Sequence, residues 1–401
     1  MEPFKIVYEQ QSPEDALRMC CEWLTMQQDG KDFFRIYEVG EHSFEWYMVF
    51  YPVRTLLLGG RLLNEPKYIK TALKSVDLYL TEQLPNGGFT SNYRGQSSDT
   101  LTNHDIAKIL RTGNVNLADN GSNLLAVVQA AAFVDAERRK LYLDAVRKWF
   151  DLWVPIWILP NGGLNNGLWG GEVHHGAYTC AIGTVTAALS AFVQATGEYE
   201  YMEIAENAIR YQMENWFPDE DGRPVNMDCY ILTPHEPIAL NDFGHSFYLL
   251  EGMCWTHRVT KDEALKAAIG QKLRAWLFGK KGLLSQWGDS WFNFMVMAHP
   301  WDAEPTDPPT SRQSSIRLGW EMAKSNGIPH AFLYYLNHIE DNPALREKLD
   351  KGLTYLTHPL KARMSGVMSD PEESYGAFAV QATGFAGLSL AERICADSAF
   401  A

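Results

Sequence analysis

Apolar positions recur every three to four residues through most of the chain, and the runs that carry them come in pairs. The first run of a pair is apolar nearly all round. The second is amphipathic. Residues 45–63, 119–134, 178–196, 243–258, 329–339 and 375–394 are of the first kind, as helices buried on every side must be. Residues 66–83, 137–154, 199–216, 262–278 and 343–356 follow as amphipathic partners, each after a tight turn. The helix at 375–394 has no return partner, and neither has the one predicted at 13–28, where Ser12 caps and Pro13 opens the first turn. Pairing these two closes the series. The expected fold is all-α: a single-domain (α/α)6 toroid over residues 1–401, its ring closed by the helices near 13–28 and 375–394. An open helical solenoid is the alternative, but it would keep polar caps at both ends.

An internal repeat supports the series. Leu84-Pro85-Asn86-Gly87-Gly88-Phe89 returns as Leu159-Pro160-Asn161-Gly162-Gly163-Leu164, each time after an outer helix. Two connections are long. Residues 90–118 are polar, with room for a short helix at 105–110, and residues 282–315 are irregular and aromatic.

In a toroid the N-termini of the inner helices ring one mouth. Read off the sequence, that mouth collects Glu45, Trp46 and Tyr47; Asp119 and Asn123; His174, His175 and Tyr178; Asp242 and His245; His330; and Glu373 and Tyr375. Asp119-Asn120-Gly121-Ser122 reads as a helix start, and any one such acid is as readily a cap as a catalyst. Acids and histidines at most mouths, beside tryptophans, suit a site that binds a polar ring and moves protons. Trp faces stack on the C–H faces of sugars. Trp169, Trp287, Trp291 and Trp301 lie outside helical periodicity and are the better candidates for this, whereas most other tryptophans are core.

Composition narrows the field. Hydrophobic residues make up 46% and charged residues 21%, which is a globular balance, and a net charge of −14 argues against nucleic acid or a long polyanion as partner. Cys20, Cys21, Cys180, Cys229, Cys254 and Cys395 show no CxxC spacing and read as buried thiols. His174, His175, Asp242 and His245 lack a metal-binding spacing, so neither a metal nor another cofactor is expected. No apolar signal core opens the chain and no long apolar run reads as a membrane span. A cytoplasmic protein without membrane contact is expected, and its oligomeric state is left open.

The hairpin series with Gly-Gly turns resembles the six-hairpin glycosidase superfamily. The nearest pattern is that of the unsaturated glucuronyl and rhamnogalacturonyl hydrolases. The resemblance rests on Asp119 followed by Glu137-Arg138-Arg139-Lys140-Leu141-Tyr142-Leu143-Asp144-Ala145, and on Ala195-Thr196-Gly197-Glu198-Tyr199-Glu200-Tyr201. His104-Asp105-Ile106 also resembles a phrase of that family, so Asp105 and Asp119 compete for one role. The family's main catalytic Asp opens the third inner helix, but around Cys180-Ala181 this chain has none. The resemblance implies a glycoside hydrolase acting on a short oligosaccharide, uronate-containing ones included. Asp119 is then the acid/base and Asp242 or Glu172 the second carboxylate. His175 and His245 bind hydroxyls or share the proton work, and Trp46, Tyr47, Asn123, Trp169, His174, Tyr178, Trp287 and Trp291 bind sugar. A sugar epimerase or polysaccharide lyase would lead instead with His175, His245 and Tyr178. An isoprenoid cyclase needs a DDxxD or DxDD run that is absent, and a non-catalytic binding scaffold leaves the titratable ring unexplained.

Overall fold

The computed structural model describes residues 11–28, 45–173, 176–216, 225–226, 238–239, 243–279, 283, 326–353 and 377–401. Thirteen α-helices lie among the described residues. Six form the inner ring: α2 (Tyr47–Leu62), α5 (Leu117–Ala130), α7 (Thr179–Thr196), α9 (Phe243–Val259), α11 (Ile328–His338) and α13 (Ala377–Ile394). Each packs on the next, and α13 packs back on α2, so the ring is closed. Outside it lie α3 (Pro66–Leu80), α6 (Ala136–Leu152), α8 (Met202–Glu214), α10 (Glu263–Phe278), α12 (Pro343–Leu353) and α1 (Pro13–Gln27). As their pairing in sequence predicts, α3, α6, α8, α10 and α12 return along α2, α5, α7, α9 and α11 respectively, and α1 packs on α13. A further helix, α4 (Asn103–Thr112), occupies the long connection between α3 and α5.

Amphipathicity explains the two layers. In α3 one face buries Tyr68, Ala72, Val76 and Tyr79, while α7 is buried along almost its whole length from Thr179 to Val193. By length and hydropathy α7 could cross a membrane, but 83% of its residues are buried and it is clasped between α5 and α9. It is a core helix of the ring. Glycines allow the closest approach: a Cβ on Gly252 of α9 would lie 2.4 Å from the Gly183 carbonyl oxygen of α7.

The repeated turn is structural as well as textual. Leu84 N–H donates to Gly88 O (2.8 Å) and Leu159 N–H to Gly163 O (2.8 Å), with Gly87 and Gly162 both at φ 86°. That left-handed conformation is open to glycine at no steric cost. Short strands escaped the sequence reading: β1 (Val115–Asn116), β2 (Gly167–Trp169) and β3 (Glu172–Val173) form one antiparallel sheet, and β4 (Val225–Asn226) pairs with β5 (Ile238–Ala239). Two or three residues are too few to show an alternation.

The axis of the ring is filled in layers. Tyr51 of α2, Phe247 of α9 and Phe385 of α13 meet there, with ring centroids 4.1–5.3 Å apart. One turn further from the mouth, Arg54 is wholly buried. Its Nε donates to Gln129 Oε1 (2.8 Å), its Nη2 donates to Ala399 O (3.2 Å), and Nη2 lies 2.7 Å from Glu251 Oε1. Residues 398–401 seal this end: Gln129 Nε2 donates to the carbonyls of Ala399 and Ala401 (both 3.0 Å), and Phe400 stacks on His330 at 5.3 Å. Burial pushes the Glu251 carboxyl up, but Arg54 and then His330 more than offset this and hold it at about 2.

Candidate active site

The last turns of α2, α5, α7, α9 and α11 all reach residues 397–401 at the sealed end, so the first turns of α2, α5, α7 and α9 share the opposite end, the mouth. At α5 the helix begins at Leu117, earlier than the expected start at 119. Asn116 is the N-cap, in extended conformation, and its Oδ1 accepts the N–H of Asp119 at 2.8 Å. Leu117 is apolar and fully buried, which draws it into the helix. Asp119 is therefore not the cap itself. It is the third helical residue, half-buried, and its Oδ2 accepts from Asn116 Nδ2 at 2.7 Å.

The same Asn116 Nδ2 donates to Ser91 Oγ at 2.8 Å, and Ser91 in turn fixes two neighbours. Its carbonyl accepts the N–H of Trp46 (2.8 Å), and its own N–H donates to Asn114 O (2.8 Å). The loop at 89–92 thus ties the start of α2 to the start of α5. Asn120 completes the tie: its Nδ2 donates to Phe89 O and Asn116 O, and its Oδ1 accepts from Tyr79. One turn inside Asp119, Ser122 accepts from the Tyr51 hydroxyl at 3.3 Å. The helix face carrying Ser122 therefore looks at the ring axis, and Asp119 lies on the next turn towards the mouth.

The other expected site residues divide. Asp105 is the third residue of α4, half-buried, and its carboxylate closes a capping box with Thr102. It lies in a connection outside the ring, so of the two competing aspartates only Asp119 stands on an inner helix. Trp46 and Asn123 are corrections. Trp46 has no exposed surface; its indole N–H donates to Glu82 Oε2 (3.1 Å), and Tyr79 and Tyr93 pack edge-on against it. Burial pushes the Glu82 carboxyl up despite that donor and the N–H groups of Arg94 and Gly95. Asn123 is equally buried and donates outward to Tyr79 of α3 (3.3 Å). Neither offers surface to a sugar, because both are turned towards the outer layer. His330 is a third correction. A Cβ on Gly327, just before α11, would meet Phe247 and Phe385, so α11 starts level with the aromatic layer. His330 consequently falls beside Glu251, 3.5 Å away, and not at the mouth.

Tyr47 opens α2 and Tyr178 is the N-cap residue of α7, both with small exposed fractions. Trp169 and Glu172 face each other across the β2–β3 hairpin, Trp169 half-buried and Glu172 exposed. His174, His175, Asp242, Trp287, Trp291, Trp301, Glu373 and Tyr375 lie outside the described residues, as does the side chain of His245. Cys20, Cys21, Cys180 and Cys254 are buried and outside any disulfide, Cys395 is exposed, and Cys229 lies outside the described residues. Asn116 and Ser91 were not singled out from the sequence. The signal was present as an Asn three residues before an Asp at the head of an apolar run.

No family model matches the sequence, and no curated protein matches it. Solved structures match over almost the whole chain. A polysaccharide lyase is 13% identical, covers 95% of this chain and 96% of its own, and has a TM-score of 0.59. A family 88 glycosyl hydrolase from Bacteroides vulgatus is 12% identical, with 96% and 99% covered and a TM-score of 0.57. A family 76 α-1,6-mannanase from a Salegentibacter species is 9% identical, with 96% and 100% covered and a TM-score of 0.60. At these identities the likeness establishes architecture: the chain is a six-hairpin (α/α)6 toroid, the fold its hairpin series and its resemblance to six-hairpin glycosidases led us to expect.

Proposed function

We propose that the chain is a carbohydrate-active enzyme, a glycoside hydrolase acting on a short oligosaccharide with Asp119 as acid/base. The observation that carries this reading is the carboxylate of half-buried Asp119 in the first turn of an inner helix, accepting from Asn116 and set above a blocked axis. The similar structures support it through their names, which are those of glycoside hydrolases and a lyase. The second carboxylate is Asp242, which precedes α9 in sequence, or Glu172 on the β2–β3 hairpin. His175 and His245 serve hydroxyls or protons, with Tyr47, Tyr178, His174, Trp169, Trp287 and Trp291 around the sugar.

One comparison shapes the assignment. The Salegentibacter mannanase was made inactive by replacing two adjacent aspartates and solved with α-1,6-mannotetrose. This chain has no two adjacent aspartates. Asn120, which follows Asp119, is fully buried and spends its amide on Phe89, Asn116 and Tyr79. Its second carboxylate must therefore come from another element.

Asp119→Asn is the test. Asn keeps an oxygen that accepts from Asn116, so thermal melting should stay near wild type. Turnover on a panel of saturated and unsaturated oligosaccharides should fall about 10²–10⁴-fold. Near-normal turnover would move the chemistry to His175, His245 and Tyr178. A polysaccharide lyase stands among the similar structures, and that second reading predicts a product with a new ultraviolet-absorbing double bond, which hydrolysis does not make.

A further inference from the structure

We infer that Asn116 is a positioning residue: it sets the orientation of the Asp119 carboxylate, and turnover depends on that contact. The inference rests on the assignment of Asp119 as acid/base. Asn116 is 1% exposed and is the last residue of β1, immediately before α5. Its side chain makes three hydrogen bonds, each to a different kind of group. Oδ1 accepts the Asp119 N–H (2.8 Å), and Nδ2 donates to Asp119 Oδ2 (2.7 Å) and to Ser91 Oγ (2.8 Å). With an N–H on one side and a carboxylate on the other, the amide has one satisfactory orientation.

A cap needs only the first of these bonds. The second and third do something further. They tie one oxygen of Asp119 to Ser91, whose backbone is bonded to the start of α2 and to Asn114. The carboxylate is thereby referenced to two inner helices. A displacement of about 1 Å in a reacting group costs on the order of 10²-fold in rate. Asn116 touches no substrate in this account, so its loss should lower kcat and leave KM nearly unchanged.

The experiment compares Asn116→Asp, Asn116→Ser and Asp119→Asn on the oligosaccharide that the wild-type chain turns over best. Asp and Ser both cap helices well, so each keeps the first bond; Asp replaces the donor with a second carboxylate, and Ser removes it without adding charge. We expect kcat to fall at least 10-fold in both Asn116 variants, more in Asn116→Asp, with KM within about 3-fold; melting should stay close to wild type in Asn116→Ser and fall in Asn116→Asp, whose buried carboxylate meets that of Asp119. Wild-type kcat in either Asn116 variant, beside an inactive Asp119→Asn, overturns the positioning role and leaves the acid/base assignment standing. An active Asp119→Asn overturns both. If both Asn116 variants fail to fold, or raise KM and leave kcat alone, Asn116 is a structural cap and the inference fails.

Discussion

Arg54 offers the sharpest quantitative test of the closed end. Its guanidinium is wholly buried in α2 and serves Gln129 of α5, Glu251 of α9 and the carbonyl of Ala399. Replace it with Met, which has similar length and no charge. Glu251 then keeps a buried carboxylate that has lost the guanidinium, with His330 3.5 Å away. In the intact protein that carboxyl is held at about 2. Against an unfolded value of about 4.3, this is worth roughly 3 kcal/mol at neutral pH. Because the folded value is the lower one, the stabilisation is complete above pH ~4.3 and is lost as the pH falls towards 2. Orphaning one partner of a buried pair costs roughly 3–5 kcal/mol, in agreement. Without Arg54, burial drives the Glu251 carboxyl upward, so at pH 4 it takes a proton and the deficit of the variant shrinks. Urea unfolding at pH 7 and pH 4, followed by circular dichroism, measures both. Arg54→Met combined with Glu251→Leu should recover most of the loss, since apolar replacements of a buried pair are often neutral. A deficit under about 1 kcal/mol at pH 7, or one equally large at pH 4, would refute the reasoning.

Two further outcomes follow from the same interior. His257 is largely buried, its Nδ1 is 2.9 Å from the Tyr334 hydroxyl, and burial, then Lys266 and His338, hold it at about 4. Its stabilising contribution is complete above pH ~6.5 and should be lost by about 2–3 kcal/mol as the pH falls through 4, allowing for its partial exposure; His257→Gln should flatten the stability profile across that window. Gly252→Ala places a methyl 2.4 Å from Gly183 O and 2.5 Å from Thr186 Oγ1, so α7 and α9 must separate; an unfolding free energy lowered by roughly 1–3 kcal/mol is expected, and an unchanged one would mean that the contact gives freely.

The architecture was legible because it is written locally. Helices apolar on every face alternate with amphipathic ones, and only a two-layered ring buries the first kind completely. The Leu-Pro-Asn-Gly-Gly phrase was equally readable, since the turn it makes is a property of its own five residues. The site was less so. Asp119 reads as a cap until the neighbouring Asn116 is seen to fill that position. Trp46 reads as a sugar-stacking residue at a helix mouth, and nothing near it in sequence reveals Glu82, whose carboxylate holds its indole N–H.

By itself, then, the sequence determined the helix pairing, the inner and outer layers and the meeting of the two terminal helices, because burial period and turn chemistry act over a few residues. Only the tertiary structure decided which polar groups meet. Arg54, Gln129, Glu251 and Ala399 come from four separate parts of the chain and share one buried cluster. Ser91, Asn116 and Asp119 likewise converge from a loop, a strand end and a helix. Such contacts are fixed by how the rings stack and where each helix starts along the axis, as the low start of α11 shows for His330. A hydrophobic pattern carries no record of that axial offset, because sliding a helix along the axis leaves its buried face unchanged.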